Sequence, residues 1–182
     1  MLLHVLRAAG ALLLRLPRAG AAVPIALWSA LIHSLSSLST RGLGTLGKYT
    51  FLSNLGHAPL FGLLGLWFAL ALPRAGLSRA RKARNGWPRV DRAGQSLVIA
   101  AVALWGLADE LHQHFAGLGR DFSLLDVVTD LAGAASVLAV VDYLGRDGAG
   151  ERGLCARLVL GLLASAAAAA LATWLPEGLG GP

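Results

Sequence analysis

The chain alternates between long apolar runs and short polar blocks, and the lengths of the runs carry most of the structural information. Five runs come close to the roughly 17 to 25 mostly apolar residues that a helix needs to cross a bilayer: Ala22 to Leu38, Phe51 to Leu72, Gln95 to Phe115, Leu124 to Val141 and Leu158 to Leu175. The fourth carries Asp126 and Asp130, which lowers its apolar character. The fifth is rich in alanine, with an unbroken run from Ala166 to Ala170, so its drive into lipid is the weakest. Ahead of the first run, a helix of 100° per residue puts His4, Arg7, Arg15 and Arg18 on one side, with Leu2, Leu3, Leu6, Leu13 and Leu16 covering the rest. That pattern predicts an interfacial amphipathic helix ended near Pro17; the alternative is an irregular lead. A secretory signal would hold its cations before the apolar stretch, not spread through it. The expected fold is all-α: a polytopic membrane helix bundle of about five transmembrane helices. Its parts are an interfacial segment (1–21), a four-helix core (22–142) with a basic loop (73–94), and a last loop and helix (143–182).

Composition agrees. Apolar residues make up 55% of the chain and charged ones only 14%, against roughly 25% charged in soluble domains. The net charge of +6 raises the question of nucleic acid, but the charges lie in blocks between apolar runs, so no nucleic-acid partner is expected. Thirteen of the sixteen Lys and Arg fall in the N-terminal segment, the 73–94 loop and the loop before the fifth run. Only Arg41, Lys48 and Arg120 fall on the other side. The positive-inside rule then predicts a multi-pass protein of the bacterial cytoplasmic membrane with its amino terminus cytoplasmic. The seven-cation loop can also meet anionic headgroups, so membrane lipids are expected partners. Cys155 is the only cysteine, which excludes an intrachain disulfide and a cysteine-rich metal site.

Ionisable side chains deep in a span cost on the order of 3 kcal/mol each, yet this chain places nearly all of them at one depth. His33, Ser36 and Ser37 share a face near the outer end of the first run. His57 lies about two turns inside the second. Asp109, Glu110, His112, Gln113 and His114 occupy the outer end of the third, with Glu110, Gln113 and His114 at i, i+3 and i+4. Arg120 lies in the short loop that follows, and Asp126 and Asp130 sit one turn apart at the start of the fourth.

Purely structural accounts exist for several of these residues. Ser123 through Asp126 reads as a capping box, and an acid there suits the positive end of a helix. Asp109 and Glu110 lie at a helix C-terminus, where negative charge is disfavoured. An ion pair of Arg120 with Glu110 or Asp126 would offset that and join two helices. Asp109 can also reach the interface, and His112 is expected to point away from the Glu110 face. Trp174 and Trp87 suit the interfaces, Trp28, Trp67 and Trp105 suit packing, and Gly62 and Gly65 suit close helix contact.

Glu110 and Gln113, followed by Arg120, Ser123, Asp126 and Gly133, resemble the signature of VanZ-like membrane proteins, and Ser36, Ser37 and His57 fit the upstream part of that pattern. The resemblance covers roughly Trp28 to Val141. Two positions depart from it: Ser53 and Asn54 stand where many members have an Asp-Lys pair, and Asp130 where many have Asn. The family is named for a protein giving low-level resistance to teicoplanin, so the resemblance implies a role in the cell envelope.

Three functions are compatible with these residues. In the first, Ser36, Ser37, His57, Glu110, Gln113, Arg120 and Asp126 bind a lipid-linked envelope precursor, a peptidoglycan-type ligand or a lipoglycopeptide. Arg120 would then hold a phosphate or carboxylate. In the second, the protein is a membrane-embedded hydrolase or transferase with Glu110 as general base and His57 as its acid partner or a second base. No Gly-x-Ser-x-Gly is present to supply a serine nucleophile. The third is an ion-coupled carrier, which the lack of an inverted repeat disfavours. A zinc site of His57, Glu110 and His114 was the metal arrangement to weigh. Without His-Glu-x-x-His on the third helix, no metal and no cofactor are expected.

Overall fold

The structure, a computed structural model, describes residues 1–13, 18–38, 47–72, 90–116 and 122–175. They form α1 (Leu2–Leu13), α2 (Arg18–Ser36), α3 (Gly47–Ala71), α4 (Arg92–Phe115), α5 (Leu124–Leu144) and α6 (Glu151–Trp174). Four of these are long and apolar enough to cross a membrane: α3 from Thr50 onward, α4, α5 and α6. At 1.5 Å per residue they measure about 31 to 36 Å, against a hydrocarbon core of about 30 Å. The apolar part of α2, Gly20–Ser36, is shorter, about 25 Å by the same rise. Their outward faces are covered in large apolar side chains; Leu104 and Leu162 are 70% and 65% exposed. A continuous surface of that kind requires lipid around it. The protein is a membrane-embedded, all-α bundle.

The alanine-rich last run forms a full helix, long and apolar enough to cross a membrane. Small residues let it lie close to α5: a side chain at Gly161 would meet Ser136 and one at Gly153 would meet the Tyr143 ring. Ser165, Ala168 and Ala169 are buried.

α5 is the central helix, packing against α3, α4 and α6 and touching α1. Its contact with α3 is the most extensive in the bundle. Gly133 makes that approach possible, because a Cβ there would lie 2.7 Å from the Ala58 Cα and closer still to its carbonyl oxygen. Gly62 faces Val137 and Gly65 faces Ala134 along the same seam. Glycine and alanine on facing helices bring the backbones together where no hydrophobic effect operates between helices. Asp126, Asp130 and Asp142 lie on the packed side of α5 and are all buried, while its exposed side carries residues such as Leu124 and Val128.

α1 is helical over Leu2–Leu13 and packs on α5 and α6 through buried Leu3. Arg7 does not project into the surroundings on the side of exposed His4. Its Nε donates to the Leu144 carbonyl at 3.3 Å and its Nη2 to the Arg146 carbonyl at 3.0 Å. The last carbonyls of a helix lack intrahelical donors and favour a cation, so Arg7 caps α5. The Met1 amino group and the Leu3 N–H meet Glu151 at the start of α6. Arg146 pairs with Asp142 at 2.8 Å. We call this the basic end of the bundle and the opposite one the polar end. Arg15, Trp87, Arg41 and the basic cluster from Arg74 to Arg89 lie outside the described residues. Trp28 donates to the Leu60 carbonyl at 2.8 Å and so joins α2 to α3. Trp105 is 37% exposed and so does not behave as a packing residue. Trp174 is 64% exposed and stacks on Phe51 at the polar end.

Candidate functional site

The polar end is built from α2, α3, α4 and α5. The buried strip of α4 runs Gly94, Val98, Val102, Gly106 and then Asp109, Glu110 and Gln113, so one helix face changes from apolar to polar within a turn. Adjacent residues on a helix point about 100° apart, and Asp109 and Glu110 accordingly serve different neighbours. The Ser36 hydroxyl of α2 donates to Asp109 Oδ1 at 2.5 Å, and Gln113 Nε2 donates to Oδ2 at 2.8 Å. Asp109 does not reach the interface; it is only 6% exposed. Gln113 therefore pairs with Asp109 at i, i+4 within α4.

Glu110 turns to the start of α5, where its Oε2 accepts the Ser123 N–H at 2.9 Å. Ser123 is the N-cap, and its Oγ accepts the Asp126 N–H at 3.0 Å. In a capping box the acid at the third helical position reaches back to the N-cap N–H; here Glu110 of α4 takes that N–H. Asp126 instead approaches His57 and Glu110: one ligand atom from each of the three lies within 4.8 Å of the others, and all three residues are buried. Both carboxylates thus lie at the positive end of the α5 dipole. That accounts for Glu110 at the C-terminal end of α4, while Asp109 beside it is met by Ser36 and Gln113. Arg120, the other expected offset, lies outside the described residues.

One turn further along α5, Asp130 Oδ1 lies 3.0 Å from His57 Nδ1. Gly106 makes room for this carboxylate, since a Cβ there would lie 2.6 Å from Asp130 Oδ2. A carboxylate on one ring nitrogen fixes the orientation of an imidazole. His57 also stacks on Phe61, a fully buried side chain of the same helix.

A cavity of about 190 Å³ opens beside this cluster, lined by Ser36, Ser53, His57, Asp109 and apolar residues of α2 and α3. Of the residues expected from sequence, Ser36, His57, Glu110, Gln113 and Asp126 are buried together at this level. Ser37 is not among them. It is half-buried, donates to the His33 carbonyl at 2.7 Å and lies 3.3 Å from His112 Nε2. His33 and His112 form their own ring contact at 4.4 Å, so His112 does face away from Glu110. His114 is exposed and packs edge-on against Phe115.

Asp109 and Asp130 are the members that sequence reasoning left out of the site. The i, i+4 relation of Asp109 to Gln113, and of Asp126 to Asp130, was the available signal. Among the described residues, the set available for a metal is His57, Glu110 and Asp126, with Asp126 in the place expected for His114. An imidazole and two carboxylates suit Zn²⁺ or Mn²⁺. One ligand atom from each lies within 4.8 Å of the others, close enough for the three to share one ion. Comparison with protein families, curated proteins and solved structures returns no match.

Proposed function

We propose that this is a VanZ-like protein of the bacterial cytoplasmic membrane that binds a lipid-linked or peptidoglycan-type envelope ligand at its polar end. In this reading α2 crosses as a fifth span, the basic end is cytoplasmic, and the site opens to the outer leaflet. Protection against teicoplanin is the phenotype in which this binding is expressed. One observation carries the reading: α2, α3, α4 and α5 each bury polar side chains at a single level beside a small cavity. Isolated polar residues serving separate helix contacts have no reason to share a depth. The order of Glu110, Gln113, Arg120, Ser123, Asp126 and Gly133 adds the resemblance as support.

The test is growth in teicoplanin of cells expressing the chain, compared with variants at equal membrane abundance. Asp126→Leu and Arg120→Ala should remove protection. Glu110→Gln should keep most of it, because a glutamine carbonyl can still accept the Ser123 N–H. Protection that is equal in all variants, or absent with the unaltered chain, would defeat the proposal.

A second reading is supported by the placing of His57 between Asp130 and the Glu110–Asp126 pair. An imidazole held by one carboxylate and facing others is poised for proton transfer. As a membrane-embedded acid–base enzyme acting on an envelope lipid or peptide, the protein would lose all activity in Glu110→Gln while remaining inserted.

A further inference from the structure

A second space lies across α3 from the polar cavity. It is a groove of about 720 Å³ between α1, α3, α5 and α6. Its α3 wall runs from Leu52 to Leu66, about 21 Å along the helix. Leu63 and Leu162 on its margins are 39% and 65% exposed, so it opens toward lipid. Apart from Ser136, Ser165 and Arg157, its lining is apolar or glycine. Arg157 lies at the basic end, donating to the Gly153 carbonyl and lying over the Tyr143 ring.

The two spaces share Leu52 and Gly56. These residues are one turn apart on the crest of α3 that separates them. At Gly56 the crest is lowered: a Cβ added there would meet nothing within 4 Å. Gly62, Gly65 and Gly133 each lie against another helix, whereas close packing does not account for Gly56. The low point lies beside His57, at the depth of the polar cluster. A molecule lying across it would have an apolar part running from the polar end toward the basic end and a polar part turned in beside Ser36, Ser53 and Asp109. That is the arrangement of a lipid in the leaflet on the polar side.

We infer that the groove and the polar cavity form one binding site for a lipid with a long aliphatic chain and a small hydroxyl-bearing head, the head crossing α3 over Gly56. This rests on the polar end being a binding site, as proposed above, and narrows its ligand to an envelope lipid whose head is small and carries no phosphate into the cavity. The head is small because the cavity has room for on the order of six waters at ~30 Å³ each. It is a donor of hydrogen bonds because, among the described residues, the polar lining is two serines, a histidine and a carboxylate, with no lysine or arginine. A phosphate entering that cavity would meet Asp109 at close range, whereas a hydroxyl donates to it. The chain is long because the groove exceeds half of a hydrocarbon core of about 30 Å.

The test uses the full chain in phosphatidylcholine nanodiscs with two radiolabelled probes: monooleoylglycerol, and methyl oleate, which has a comparable chain but no donor. Monooleoylglycerol should bind saturably and about tenfold more tightly than methyl oleate, a gap of about 1.4 kcal/mol. Gly56→Leu raises the crest and should weaken monooleoylglycerol by about tenfold, with Gly56→Ala losing less. Ala9→Phe, which fills the groove from exposed α1, should weaken it as well. Leu52→Trp narrows the same crossing and serves if Gly56→Leu does not yield monodisperse helical protein. Equal binding of the two probes by the unaltered chain, or no saturable binding, overturns the inference. So does undiminished binding by both crest variants. Failure here with loss of protection in the Asp126 variant removes only the lipid groove. Head-dependent binding with no effect of Asp126 on growth removes only the envelope function.

Discussion

Replacing Gly133 by alanine tests the geometry that assembles the site. The added methyl would lie 2.7 Å from both the Cα and the carbonyl carbon of Ala58. Carbon atoms rest at about 3.5 to 4.0 Å, and the obstacle is backbone, which no rotamer change can clear. The α3–α5 seam must therefore open by about 1 Å, and a gap of that size forfeits roughly half of the contact energy along it. Overpacking of this kind costs about 1–3 kcal/mol. Ala58 follows His57, and Asp130 precedes Gly133 by one turn, so the same displacement stretches the 3.0 Å His57–Asp130 contact. Loosening a buried polar pair adds about 1–3 kcal/mol, giving a total of about 2–6 kcal/mol. The control is Gly56→Ala on the same seam's α3 helix, where the methyl meets nothing within 4 Å and helix propensity favours alanine by up to about 1 kcal/mol. Unfolding of detergent-solubilised protein by added dodecyl sulfate, followed by circular dichroism, measures both. If Gly133→Ala falls within about 0.5 kcal/mol of Gly56→Ala, a margin usual for harmless substitutions, the helices are not in backbone contact and the site is not assembled this way.

Three further outcomes follow from particular contacts. In a double-mutant cycle of His57→Phe and Asp130→Leu, the coupling energy should be about 1–3 kcal/mol; additive losses would mean that the pair does not interact. Elemental analysis of purified protein should find no stoichiometric metal, and one zinc or manganese per chain, lost in Asp126→Leu, would assign His57, Glu110 and Asp126 as its ligands. Exposed Leu38 and Gly148 lie at opposite ends of the bundle, so in a Cys155→Ala background Leu38→Cys should react with an impermeant maleimide in intact cells. Gly148→Cys should react only after permeabilisation, and the reverse pattern would invert the orientation.

The helices were legible because bilayer thickness imposes a length that few other structures imitate, and because the cap at Ser123 marks the start of α5; the stop expected at Pro17 lies outside the described residues. The convergence of polar groups at one end was legible for the same reason, since spans read in alternate directions put depth on a common scale. The partners were not. Period alone assigns Glu110, Gln113 and His114 to one face, but α4 ends at Phe115, which is 80% exposed, and His114 leaves the packed part of the helix with it. The division of Asp109 and Glu110 between α2 and α5 depends on where those helices stand around α4, which no spacing within α4 records. Asp130 depends on a residue 24 positions earlier: Gly106 is one more small residue in an apolar run until its missing Cβ is seen to hold a carboxylate. Arg7 shows the same limit. Its place on a helical wheel indicated an aqueous face, whereas the open carbonyls of α5 decide its direction.

The chemistry of the polar end argues against a purely architectural role. Four carboxylates, Asp109, Glu110, Asp126 and Asp130, are buried there, each on the order of 3 kcal/mol to place in a span. If their purpose were to hold four helices together, leucine and alanine would do so without that cost, and replacing buried ion pairs by apolar residues is often neutral or stabilising. The seam between α3 and α5 is already closed by Gly62, Gly65 and Gly133, so that seam does not depend on the acids. The donors engaging them are also arranged unequally. Asp109 is met on both oxygens, by Ser36 and Gln113, and forms part of a fixed cavity wall. Glu110 and Asp126 are set at the head of α5 and turned toward His57. Rigid support on one side and facing ionisable groups on the other, with His57 and Asp109 both lining the cavity, is the arrangement that the proposed binding role requires. A cluster that served only packing would be sealed on all sides and would have no cavity along its edge.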